Sequence, residues 1–150
     1  MSITVPTRRT VVRALALAGV AAALAGCQTM EMPKSYTQTV ALSGTQEVPP
    51  TATGASGSGN VTVTPEGMVT ATIVVNGMTA TAAHIHMGAK GANGPVIVPF
   101  TKTADNTFSA PAGAKMTPDQ YAAYKAGNTY VNVHSAAHPG GEVRAQLKGQ

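Results

Sequence analysis

The chain has no tryptophan, two phenylalanines and a single cysteine, and only 11% of its residues are charged. One cysteine excludes a disulfide within a molecule. With so few aromatic residues, Val, Ile, Leu, Ala and Met must build the core. There is no Gly-x-Ser-x-Gly elbow and no suitably flanked pair of carboxylates, so nucleophilic acyl transfer and two-carboxylate acid–base chemistry have no footing. The glycines of Gly88-Ala89-Lys90-Gly91-Ala92-Asn93-Gly94-Pro95 tempt a phosphate-loop reading. They lack the Gly-Lys-Ser/Thr ending, and no helical pattern follows them. No basic run with interleaved aromatics is present, and nucleic-acid binding finds no support.

The first 26 residues read as an export leader. Arg8, Arg9 and Arg13 form a basic start, Ala14 to Leu24 is apolar without interruption, and Leu24-Ala25-Gly26-Cys27 closes the segment. That order of basic, apolar and small residues is the pattern of a secretory signal, and the apolar run is too short to remain as a membrane span. Thr7-Arg8-Arg9-Thr10-Val11-Val12 also resembles a twin-arginine signal, with Val11 where Phe is more usual. Leu-Ala-Gly-Cys resembles the bacterial lipobox, which implies that Cys27 is lipidated and begins the mature protein. Gln28 follows it, where Asp would signal inner-membrane retention. The expected setting is the periplasmic face of the outer membrane or the cell surface, with the membrane as partner through two or more acyl chains.

Removal of the leader changes the charge. Ten lysines and arginines less those three leaves seven against six acidic residues, so the net +4 of the whole chain falls to +1. Residues 27–35 then read as a lipidated tether and 36–148 as the folded domain. Its texture is β, with Thr and Val alternating between Gly, Pro and Asn punctuation. Strands are expected at Tyr36–Leu42, Asn60–Thr64, Met68–Val75, Thr81–Met87, Val96–Phe100, Thr107–Ala110, Thr129–His134 and Glu142–Lys148, with Pro49–Gly59 a surface loop. One helix is signalled near 118–126 by Thr117 as cap, Pro118 in the first turn, Gln120 three after the cap and Gly127 past the end. The fold class is an all-β antiparallel Greek-key sandwich, immunoglobulin- or superoxide-dismutase-like.

All four histidines fall in Ala83-His84-Ile85-His86-Met87-Gly88 and Val131-Asn132-Val133-His134-Ser135-Ala136-Ala137-His138. Residues two apart on a strand share a face. His84 and His86 therefore project together, and Tyr130, Asn132 and His134 face away from Val131 and Val133. If the two strands are neighbours, three or four imidazoles converge on one ion: His84, His86 and His134, with the turn residue His138 as an optional fourth. A nitrogen-rich site suits copper, with zinc second. Met87 points to the opposite face and reads as core. Glu142 is either a carboxylate that orients a ligand imidazole or a structural partner of Arg144 or of loop backbone. Glu47 carries the same ambiguity.

Five segments in order resemble the CHRD domain: Leu42-Ser43-Gly44-Thr45-Gln46-Glu47-Val48-Pro49-Pro50, Ala83-His84-Ile85-His86, Gly91-Ala92-Asn93-Gly94-Pro95, Ala126-Gly127-Asn128-Thr129-Tyr130-Val131-Asn132-Val133-His134, and His138-Pro139-Gly140-Gly141-Glu142-Val143-Arg144-Ala145-Gln146-Leu147. The resemblance spans Tyr36 to Leu147 and implies a β-sandwich, but little about activity. His84-Ile85-His86 is also locally similar to the His-x-His strand of Cu/Zn superoxide dismutase, which favours copper. Three functions compete. One is an envelope lipoprotein for metal binding, delivery or tolerance, without catalysis. The second is a metal-free structural or interaction module, and the third a superoxide-dismutase-type redox enzyme.

Overall fold

A computed structural model of the chain describes residues 34–149, together with Ser2. The leader, Cys27 and nearly all of the tether lie outside the described residues. Nine strands and one helix follow in order: β1 Tyr36–Ser43, β2 Ser56–Val63, β3 Val69–Asn76, β4 Ala80–Met87, β5 Val96–Pro99, β6 Thr101–Ala104, β7 Thr107–Ser109, α1 Pro118–Lys125, β8 Thr129–Ser135 and β9 Val143–Gln146. The class is the expected one, antiparallel β with one short helix.

The strands form one sheet in the order β5-β4-β8-β9-β1-β2-β3-β7-β6. Its two ends are consecutive in the chain, because only Phe100 separates β5 from β6. The first half of this bent segment pairs with β4 and the second with β7, and the Phe100 N–H bonds to the Ala83 carbonyl at 3.0 Å. The sheet is therefore nearly closed and barrel-like, and its two edge strands, β5 and β6, are short, which limits the unpaired edges that invite aggregation.

Alternation places the core inside. On β3, Val69, Ala71, Ile73 and Val75 are buried while Thr70, Thr72, Val74 and Asn76 are exposed. Ala83 and Ile85 of β4 and Val131 and Val133 of β8 join them in the core.

Two expectations need correction. Ser56–Gly59 is not loop but the first half of β2, paired with both β1 and β3. A Cβ at Gly57 would approach Val75 Cγ1 to 2.8 Å, and one at Gly59 would strike the Thr72 carbonyl and Ile73. The glycines that read as loop instead let β2 lie close under its neighbours. Strand β6, unforeseen, is exposed at all four positions, so no apolar alternation marks it.

The helix forms as its signals require. Thr117 accepts from the Gln120 N–H at 3.3 Å, and the Gln120 side chain accepts from the Thr117 N–H at 2.8 Å. Gly127 ends it at φ +73°, and Tyr124 is fully buried against the core.

Candidate metal centre

Register fixes the site. His84 stands opposite Asn132, His86 opposite Tyr130 and Ala82 opposite His134, so these side chains share the outer face of the β4–β8 pair. One ring nitrogen from each of His84, His86 and His134 lies within 4.8 Å of the others. The closest approach is 3.0 Å, between His84 Nδ1 and His134 Nε2.

Hydrogen bonds set the tautomers of two rings. His86 Nδ1–H donates to the Gly94 carbonyl at 2.9 Å, and His134 Nδ1–H donates to the Pro139 carbonyl at 3.0 Å. A carbonyl can only accept, so both neutral rings carry their lone pair on Nε2. Backbone support of the second ring nitrogen is the usual way that ligand histidines are oriented. Gly94 can serve because it has no side chain, since a Cβ there would strike the Met87 carbonyl.

All three rings are held neutral. Burial, then the neighbouring His134 and His86, push His84 down to about 4. Burial also lowers His86, outweighing the Gly94 carbonyl and Asn132, which favour the charged ring. His134 is lowered by burial against the pull of the Pro139 carbonyl. Neutral imidazoles are the form a metal requires. The set also fits the chemistry on another count: His86 Nε2 is buried with no hydrogen-bond partner, and a cation is what an unpartnered lone pair lacks.

The depressed values fix a sign for stability. Above the ordinary histidine value near 6.5 both folded and unfolded chains hold neutral rings. As pH falls from there toward 4, the unfolded chain binds protons that the folded one resists, so folding weakens. We expect the metal-free domain to lose melting temperature between pH 7 and 5, with a shallower loss in His84→Asn. Parallel slopes by differential scanning calorimetry would refute this.

His138 stays outside the trio. Its N–H donates to Ser135 Oγ at 3.2 Å, and it lines a separate cavity of about 510 Å³ with Glu47, Pro49 and Pro139. Glu142 is buried, but its carboxylate accepts from Thr53 Oγ1 at 2.8 Å and from Ser135 Oγ, not from a ring of the trio. Burial raises its pKa, and those hydroxyl bonds with His138 nearby bring it below the ordinary value.

Arg144 does not partner Glu142. It is only 1% exposed and donates to the carbonyls of Ala92 at 2.9 Å and Ala89 at 3.4 Å, and to Asn93 Oδ1 at 3.2 Å. Its Cζ lies 3.3 Å from the centre of the Tyr130 ring. On the β4 side the same ring stacks on His86, with centroids 4.9 Å apart and planes 6° from parallel. Arg144 thus ties down the 88–95 loop that carries Gly94. Glu47 faces Arg144, and its pKa is raised by burial, which outweighs Arg144, Asn132 and the Val48 backbone. Tyr130 and Asn132 were detectable as the outward side of β8. For the grip of Arg144 on a loop about 50 residues earlier, spacing carries no signal.

A nearly closed, barrel-like antiparallel β-sheet with three neutral histidines converging on its outer face places this chain among β proteins with a candidate metal centre. The family model of the CHRD domain matches residues 38–147, and the chain belongs to the CHRD domain family. No curated protein and no solved structure matches it.

Proposed function

We propose that this chain is an exported, lipid-anchored envelope protein whose CHRD domain binds a transition metal, copper first and zinc second, through His84, His86 and His134. Its role on this reading is metal binding, delivery or tolerance, without catalysis by the protein's own side chains. The observation that carries the proposal is the convergence of three neutral rings, two of them turned by backbone carbonyls so that Nε2 lone pairs face inward. Three nitrogen donors suit Cu(II) and Zn(II), and copper stands above zinc in intrinsic affinity. The leader and Cys27, with the local likeness of His84-Ile85-His86 to the copper strand of superoxide dismutase, favour copper outside the cytoplasm.

The chain from Gln28 onward, purified without a histidine tag, is expected to bind one equivalent of Cu(II) tightly and Zn(II) less tightly by calorimetric titration. Electron paramagnetic resonance of the copper form is expected to report three nitrogen ligands. His84→Ala/His86→Ala should abolish both signals. Affinity no better than that of an exposed histidine pair would overturn the proposal and leave the metal-free interaction module. Metal-dependent superoxide dismutation by the loaded protein would instead promote the redox enzyme.

A further inference from the structure

Among the described residues, four buried side-chain atoms have no hydrogen-bond partner, and three of them belong to residues that follow one another through Asn132: Glu47 Oε1, Asn132 Oδ1 and His86 Nε2. Folded proteins keep few such atoms, because a buried polar atom that nothing meets loses its hydration without replacement. Three together mark a place organised around something other than protein hydrogen bonds.

The contacts run in a line. Asn132 pairs across the ladder with His84 and lies diagonally from His86, two register positions along on the same face. Its amide is close enough to Glu47 and to His86 to stabilise the charged form of each, yet Asn132 Oδ1 and His86 Nε2 both lack a hydrogen-bond partner. Glu47, 5% exposed, stands behind it. A Cβ on Gly141 would come within 2.5 Å of Glu47 Oε1 and 2.7 Å of Asn132 Nδ2, so the nitrogen end of the amide lies on the Glu47 side. That arrangement turns the carbonyl end of Asn132 away from Glu47. With Nδ1–H committed to Gly94, His86 Nε2 can only accept, and so can Asn132 Oδ1. Two acceptors stripped of water beside one another complement a cation, not each other.

We propose that Glu47 and Asn132 form a buried arm of the metal centre, in which Glu47 sits against the amide nitrogen of Asn132 and so turns Asn132 Oδ1 toward the cation that His86 Nε2 faces. The inference rests on the metal reading above. It makes Glu47, not Glu142, the carboxylate that stands behind the histidines.

The test is Cu(II) titration and electron paramagnetic resonance of the chain from Gln28 onward, as wild type, Asn132→Ala, Glu47→Ala and Glu47→Gln, with folding checked by circular dichroism. Loss of a residue that supports a ligand weakens metal affinity about 10- to 100-fold, and that loss is expected for both alanine variants, with altered copper hyperfine splitting. Glu47→Gln, whose carbonyl still accepts from Asn132, should restore affinity and spectrum. Should Asn132→Ala fail to fold, Asn132→Ser is read in its place by the same criterion. Should Glu47→Ala fail to fold, Glu47→Leu replaces it. Wild-type binding with unchanged affinity and spectrum in the folded variants overturns the arm and leaves the metal reading standing. No binding by the wild type overturns the metal reading itself.

Discussion

His86→Ala is expected to abolish tight Cu(II) binding while the domain stays folded. Among the three rings, His86 is the most completely fixed. It is 8% exposed, its Nδ1–H is spent on the Gly94 carbonyl, and one face of its ring lies flat on Tyr130. Its Nε2 is the atom with no protein partner, so the ring's reactive end does nothing for the metal-free fold. Removing it deletes a donor already in place, and the remaining pair, His84 and His134, is less buried and makes its 3.0 Å contact within itself. The loss should exceed the about 10- to 100-fold that follows removal of a merely supporting partner. His138→Ala, outside the trio, should leave affinity unchanged. A His86→Ala protein that still binds copper within a few-fold of wild type would mean that the ion, if bound, sits elsewhere.

The pair His84 and His86, and His134 on a neighbouring strand face, were legible because strand alternation is local: two residues on, same face. That β4 and β8 are neighbours follows instead from the order of strands in the sheet, which no single segment encodes. Local reading put all three rings on an outward or rim face, and they are on it. His86 is nonetheless buried, because the 88–95 loop folds back over it, and a loop's path is set by distant partners such as Arg144 and Tyr130. The i, i+2 spacing of Glu142 and Arg144 suggested a shared face, with an ion pair or partnership with loop backbone as the structural readings, and Arg144 takes the second. The strand begins only at Val143, so Glu142 turns toward Ser135 and Thr53 while Arg144 reaches over the sheet. Glu47 had no periodicity to announce it, since it follows a short 3-10 turn at Gly44–Gln46, and its neighbours come from β8 and β9. The glycine-rich start of β2 failed for a related reason: composition alone cannot separate a glycine that bends from one that makes room.

Arg144→Ala should be the most destabilising single substitution in the domain. A buried guanidinium is costly by itself, and here it is offset by many partners at once. They are the carbonyls of Ala89 and Ala92, Asn93 Oδ1, Gln146 Oε1 at 3.3 Å, the face of Tyr130 and the charge of Glu47. Truncation strands two loop carbonyls and leaves Glu47 buried without its cationic neighbour. Breaking a buried charged cluster from one side costs about 3–5 kcal/mol, a large part of the stability of a domain this size. Urea denaturation followed by circular dichroism should show a midpoint lowered accordingly. Arg144→Lys should recover little, because an ammonium has no planar fork to bridge two carbonyls and stack on a ring. Part of the deficit is the orphaned carboxylate, so adding Glu47→Gln to Arg144→Ala should raise the midpoint above that of the single variant. If the two losses simply add, Glu47 and Arg144 do not sense each other, and the electrostatic part of the argument is wrong. If Arg144→Ala unfolds at the wild-type midpoint, the loop over His86 is held by other contacts, and the route from Arg144 through Gly94 to the histidines carries no weight.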